Sequence, residues 1–215
     1  GASSKNGLLR DIPFLTLSNN GPGETSPVVR GIYVLSKIFG GAPPPPPDDV
    51  TPLEDIEVPE GTSLREKLDL HKSNESCASC HIKFDPLGYP LEVFDGDGNF
   101  REHYNKEDNR IQEQETGEVL AESVVEMIET AMIYQGQAVK DLDDFERHIT
   151  STFNTKFHYT FARYFASFCM GRNLTPTEAT FLKQLLKDVS KDGKVHLRDF
   201  SVAFLTSELF INGEL

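Results

Sequence analysis

The chain is poor in basic residues, in cysteine and in long apolar runs. It carries 21 lysines and arginines against 34 aspartates and glutamates, a formal net charge of −13. Such a surface repels phosphate backbones and disfavours a nucleic acid partner. No apolar run approaches the roughly 18 residues of a membrane helix, so no membrane span is expected. The three cysteines give no obvious disulfide framework.

The chain also lacks the motifs of several common protein classes. Neither a Ser-His-Asp grouping nor a glycine-rich phosphate loop stands out. Residues 1–7 are small and polar, without the apolar stretch of a signal peptide. We expect the chain to be an excised C-terminal piece of a longer multidomain protein, so this absence does not indicate a cytoplasmic protein.

The sequence does contain one specific motif, the run CASCH at positions 77–81. C-x-x-C-H is the attachment signature of c-type haem, in which two thiols bond to the porphyrin edge and the histidine reaches the iron. It predicts one covalent haem c held by Cys77 and Cys80, with His81 as the proximal ligand. A redox-active C-x-x-C pair would need a strand-to-helix context, and a structural zinc site would need a second ligand pair. The surrounding residues supply no such strand-to-helix context and no second ligand pair at a specific spacing.

The ligand on the other side of the iron decides the chemistry. An occupied site predicts a six-coordinate electron carrier, and an open site predicts a peroxide enzyme or a gas sensor. His71 is the first candidate, because it shares one face of a predicted helix with Leu64 and Leu68. Met170, below a stripe of phenylalanines, is the alternative. The other candidates are His103, His158, Met127 and Met132.

The rest of the pattern predicts a mainly helical chain. Apolar residues at helical spacing predict helices at about 27–39, 63–72, 120–134, 153–170 and 197–209. Gly171 is placed to end one helix, and Thr175, Pro176 and Glu178 to begin the next. Non-helical structure is expected at the prolines of 43–47, which predict an extended strap, in an irregular wrap at 82–104 and in a polar loop at 105–120.

Three further signals are weaker. Arg101 and Tyr104 are candidates to bind a haem propionate, with a surface ion pair as the alternative for either residue. Residues 188–199 imitate an EF-hand loop but end in Asp199 rather than glutamate, and we do not expect calcium there. Cys169 is interpreted as a buried core thiol.

Several stretches resemble a known family. They are TSPVVRGIYVLSKIFGGAPPPPP (25–47), LREKLDLHKSNESCASCHIKFDPLGYPLEVFD (64–95) and FREHY (100–104). They resemble uncharacterised cytochrome-c-like domains of large secreted proteins, common in planctomycetes and some marine bacteria. FARYFASFCMGRNLT (161–175) and FLTSELF (204–210) resemble the helical domain that follows in those proteins.

The resemblance has implications for individual positions. It implies a haem-pocket role for His71, because the family has a histidine there. It implies an aliphatic residue where this chain has Met170, so a ligand role for that methionine would be a departure from the family. Residues 105–135 depart from the family pattern and are expected to be an insertion.

We therefore expect a mainly α protein, a single-haem cytochrome-c-like domain with long irregular loops and a C-terminal helical extension. Its expected parts are an arm, helix and polyproline strap (1–50), a haem-binding segment (51–104), an insertion with a connecting helix (105–150) and a helical segment packing on the haem unit (151–215). The expected function is one-electron transfer with a redox partner protein in a periplasmic or extracellular system. If the sixth iron site is open, the alternatives are a peroxidase-like or substrate-oxidising enzyme, or a haem-based sensor or binding module.

Overall fold

A computed structural model describes residues 7–21, 23–43, 45, 57–59, 62, 64–73, 75–102, 132–134 and 136–214. Helices dominate these residues, as predicted, and one short antiparallel sheet accompanies them. Within those ranges, no helix has the length and apolar character needed to cross a membrane. The chain divides into two compact units. The first comprises Gly1–Leu35 and Ala42–Glu146, and the second comprises Ser36–Gly41 and Arg147–Leu215.

The described helices of the first unit are short. They are α1 (Ile12–Leu17), α2 (Pro27–Lys37, whose last two residues belong to the second unit), α3 (Leu64–His71), α4 (Glu75–His81) and α5 (Asp85–Gly88). Single 3-10 turns cover Leu8–Arg10 and Tyr89–Leu91. The helices predicted at 27–39 and 63–72 are thus confirmed as α2 and α3.

Two glycines let α2 approach α5 closely. A Cβ atom on Gly31 would lie 1.9 Å from the carbonyl oxygen of Phe84, and one on Gly88 would lie 1.8 Å from that of Pro27. Only a residue without a side chain permits such backbone contact. The approach fixes the segment that begins α5, and therefore the position of Asp85.

Arg30, Glu92 and Arg101 form a buried ion network beyond α5. Arg30, on α2, is fully buried and lies 3.2 Å from one carboxylate oxygen of Glu92, while Arg101 lies 3.2 Å from the other. Arg30 also donates to the carbonyl oxygens of Leu91 and Phe94, both at 2.7 Å. These bonds hold residues 92–101, which contain no helix, and the described part of 82–104 has only the short α5 and one 3-10 turn in place of a long helix, as predicted.

One predicted helix is wrong at its C-terminal end. Residues 132–134, expected to finish a helix from 120, form the strand β1 (Met132–Tyr134), which pairs antiparallel with β2 (Gln137–Val139). The spacing of apolar residues favoured a helix, but the strand pairing satisfies the backbone instead, and Val139 is buried. The rest of that prediction, the loop at 105–120 and most of the proline strap fall outside the described residues.

The second unit consists of longer helices. A further helix, α6 (Leu142–Ser151), begins in the first unit and ends in the second, and it was not predicted. It is followed by α7 (Asn154–Met170), α8 (Pro176–Val189), α9 (Leu197–Leu205) and α10 (Glu208–Asn212).

Local signals at the ends of α7 and α8 act as predicted. Gly171 ends α7 with a left-handed φ of 67°. Thr175 and Glu178 form a capping box at the start of α8. The single helix predicted at 197–209 is wrong, because the chain turns at Thr206 and Ser207 starts α10 as an N-cap whose side chain accepts a hydrogen bond from the Phe210 amide.

An apolar core holds the helices of the second unit together. Its buried members come from α7, α8, α9 and α10: Ala162, Ala166, Leu182, Leu186, Phe200, Phe204 and Leu209. The phenylalanine stripe of α7 is not the most buried face, since Phe168 is 86% exposed. Phe165 is the stripe residue that reaches the core, with its ring 5.7 Å from that of Phe200. Small alanines, and not the aromatic stripe, therefore set the packing of α7.

Candidate functional site

Helix α4 carries the C-x-x-C-H residues. Cys77, Cys80 and His81 follow one another at i, i+3 and i+4, so they lie on one side of the helix. Both thiols are free and half-buried. This helix was not predicted, because cysteine, serine and histidine are weak helix formers. Its formation brings two thiols and one imidazole to the same side of a rigid element.

His81 is held by a buried carboxylate. Its Nδ1 lies 3.0 Å and 3.1 Å from the two carboxylate oxygens of Asp85, the first residue of α5. Asp85 is 1% exposed, and the ring of Phe84 lies 5.0 Å from that of His81. With a carboxylate as its partner, Nδ1 carries the proton and donates it, which leaves Nε2 for a metal. The four-residue spacing H-x-x-x-D could have revealed this pair in the sequence.

The structure brings His71 next to His81. His71 ends α3, and its ring centre lies 5.1 Å from that of His81, with the ring planes at 73°. Burial lowers the pKa of His71, the charge of His81 lowers it further, and Asp85 offsets part of the effect. The neutral imidazole is the form that binds metals.

Lys72 is a second charged neighbour of Asp85, besides His81. Its ammonium group is 2.6 Å from Asp69, 3.3 Å from the Tyr89 hydroxyl and 3.8 Å from Asp85. Burial opposes the charged form of Lys72, but its hydrogen bonds to Asp69 and Tyr89 outweigh burial and raise its pKa. The lysine is therefore a fixed positive charge near the carboxylate that holds His81.

The alternative ligands belong to other elements of the fold. Met170 and Cys169 pack against the apolar core of the second unit, and His158 lies on α7, where burial lowers its pKa. Met132 begins β1, whose backbone lies beside α5. His103, Met127 and Tyr104 fall outside the described residues.

Arg101 is engaged within the first unit. Its guanidinium donates to the Glu92 carbonyl at 2.9 Å and to the Thr25 hydroxyl at 2.7 Å, besides its ion pair with Glu92. The alternative of a surface ion pair is wrong for this residue, because the pair is buried. Contact with a haem propionate stays a prediction.

Two carboxylates of the EF-hand-like loop between α8 and α9 are in other contacts. Asp199 pairs with Lys191 at 3.1 Å, and this hydrogen bond lowers the pKa of Asp199. Asp188 accepts a hydrogen bond from Gln184 at 2.8 Å.

His81 could be a ligand of a haem iron, which needs fewer ligands from the protein than a structural zinc. Among the described residues, no three His, Cys, Asp or Glu side chains are grouped to hold a metal ion. A structural zinc needs four such ligands. A haem iron needs only axial ligands from the protein, and His81 presents Nε2 for that role.

Comparison with known proteins agrees with part of the resemblance. Residues 5–104, just under half of the chain, match PSCyt3, a family of proteins of unknown function (DUF1588) whose name indicates a cytochrome-type domain. The matched range contains His71, Cys77, Cys80, His81 and Asp85. No curated protein and no solved structure matches the chain.

Proposed function

We propose that this chain is a c-type cytochrome that carries one covalent haem and transfers single electrons. The observation that carries the proposal is the arrangement of α4 and α5, in which two thiols and an imidazole share one side of a helix and a buried carboxylate fixes the imidazole. The match of residues 5–104 to a cytochrome-type family supports it.

Each residue has a distinct part. Cys77 and Cys80 would anchor the porphyrin edge through thioether bonds, and His81 would bind the iron through Nε2. Bound haem would supply the one-electron couple. Asp85 keeps the His81 ring in one orientation, because its two oxygens both lie within hydrogen-bonding distance of Nδ1. Phe84 packs against the same ring and restricts its movement.

His71 is our proposed ligand on the far side of the iron. Two imidazoles that bind one metal from opposite sides have ring centres about 6 Å apart, since each metal–nitrogen bond is about 2.0 Å. The observed 5.1 Å is shorter than that separation, and the two rings meet edge to face, so His71 would have to move to let a haem lie between them. Two bound imidazoles would fill both axial sites, which favours electron transfer over peroxide chemistry or gas binding.

The chemistry of haem attachment and the charge of the chain indicate a cellular location and a kind of redox partner. Haem c is attached after export in bacteria, so we propose a periplasmic or extracellular location. The net charge of −13 favours a redox partner protein with a basic surface, because opposite charges speed the encounter.

The test is an absorption spectrum of the haem-loaded protein, ferric and ferrous, with and without carbon monoxide. We expect low-spin spectra that carbon monoxide does not change. His71→Ala should produce a high-spin iron that binds carbon monoxide. His196→Ala is the matched control, since this exposed histidine at the start of α9 is not among the candidate ligands and should leave the spectrum unchanged.

Two results would change the proposal. A wild-type iron that is high-spin and binds carbon monoxide readily would contradict the carrier function and favour the enzyme or sensor. A His71→Ala protein that remains low-spin would remove His71 as the ligand, and the same spectra of Met170→Ala and Met132→Ala would then identify the replacement.

A further inference from the structure

The carboxylate of Asp85 occupies an unusual position for a charged group. It is 1% exposed, and burying a charge costs several kcal/mol unless hydrogen bonds compensate. Within the described part of the chain, it lies 3.0 Å from Nδ1 of His81 and 3.8 Å from the Lys72 ammonium. Because the buried Asp85 carboxylate lies against Nδ1 of His81, it affects the electron density of the His81 ring.

We propose that Asp85 and Lys72 set the reduction potential of the iron bound by His81, with Asp85 lowering it and Lys72 raising it. This inference rests on the proposed function. A hydrogen bond from Nδ1 to a carboxylate makes the imidazole a stronger donor at Nε2. A stronger donor stabilises the ferric state, so the potential falls.

Lys72 acts on the same carboxylate in the opposite sense. Its positive charge draws electron density from Asp85 and weakens the donation to His81. The ammonium is held in place by Asp69 at 2.6 Å and by the Tyr89 hydroxyl at 3.3 Å. The Lys72 ammonium also lies 5.9 Å from the centre of the Tyr89 ring. Lys72 is therefore a positioned charge whose removal should lower the potential.

The test is a redox titration of the haem-loaded protein and three variants. Asp85→Asn keeps an acceptor for Nδ1 but removes the charge, and we expect the ferrous-to-ferric ratio at a fixed potential to rise at least tenfold, about 59 mV for a one-electron couple. Lys72→Met should shift the potential downward. Asp69→Asn is the matched control, because this carboxylate touches Lys72 but is 60% exposed. Its shift should be much smaller than that of Asp85→Asn.

The outcomes separate this inference from the proposed function. Opposite shifts in Asp85→Asn and Lys72→Met, with covalent haem retained, support the inference. If Asp85→Asn does not fold, an upward or absent shift in Lys72→Met still overturns it. Equal shifts in Asp85→Asn and Asp69→Asn also overturn it, because a general surface charge effect would then suffice. A wild-type chain without covalent haem overturns the proposed function, and this inference with it.

Discussion

The two units bury different kinds of side chain. The first unit encloses Arg30, Glu92 and Arg101 in one ion network and Asp85 beside His81. In the described part of the second unit, the buried residues are mostly alanine, leucine and phenylalanine, and Glu178 is the buried charge. Its partner, Arg172, is 39% exposed.

The difference follows from the secondary structure that each unit must hold. Long helices in the second unit satisfy their own backbone and need only an apolar stripe to pack. The stretch around Glu92 to Arg101 has little regular structure, so its carbonyl groups need donors from elsewhere, and Arg30 supplies them. Buried charge in the first unit therefore fixes an irregular chain, whereas apolar burial fixes the second.

The strongest test of this contrast is to remove one arginine from each unit. Arg30→Met leaves Glu92 with one fewer cation and leaves buried carbonyl groups without donors. We expect the free energy of unfolding to fall by about 3–5 kcal/mol. Urea unfolding of the purified variant measures it. Arg172→Met, which removes an arginine that is 39% exposed from its pair with Glu178, should lose less, and an equal loss in the two variants would contradict the contrast.

The next largest expected effect on the free energy of unfolding comes from the close approach of α2 and α5. Gly31→Ala places a Cβ atom 1.9 Å from a backbone oxygen, so one segment has to shift. We expect a loss of about 1–3 kcal/mol in the free energy of unfolding. Gly21→Ala is the control, since its Cβ atom would meet nothing closer than 3.8 Å. The account would be wrong if the two variants melted at the same temperature.

The smallest expected effect is on the stability of the protein at acidic pH. The hydrogen bonds of Arg172 and the Thr175 amide lower the pKa of Glu178 to about 2 from its usual 4.5. Because the folded pKa is the lower one, the stabilisation is complete above about pH 4.5 and is lost as the pH falls toward 2.

Glu178→Gln should therefore flatten the loss of stability between those pH values. Thermal unfolding, followed at several pH values for wild type and variant, measures the change. An unchanged acid slope in the variant would show that other groups carry the acid response.

Local signals in the sequence predicted a large part of the second unit and of the site. Gly171, Thr175 and Glu178 act through neighbours within a few residues, so their roles could be predicted without the fold. The C-x-x-C-H spacing is also complete within five residues, and its assignment to haem stays a prediction.

Contacts between distant residues could not be predicted. Arg30 meets Glu92 across 62 positions, and nothing in either segment alone indicates the pairing. The strand at Met132–Tyr134 was mistaken for a helix because three residues are too few to show an alternation. The turn that divides 197–209 depends on Ser207 acting as an N-cap, a signal that the apolar periodicity on both sides concealed.

Covalent haem on α4 is the central claim, and the mass of the exported, haem-matured protein tests it most directly. After denaturation, the wild-type chain should retain the mass of one haem. The variant with both Cys77→Ala and Cys80→Ala should lack it, and Cys169→Ala should keep it, because that thiol packs in the second unit. A wild-type chain that releases its haem on denaturation, or never acquires one, would contradict the claim.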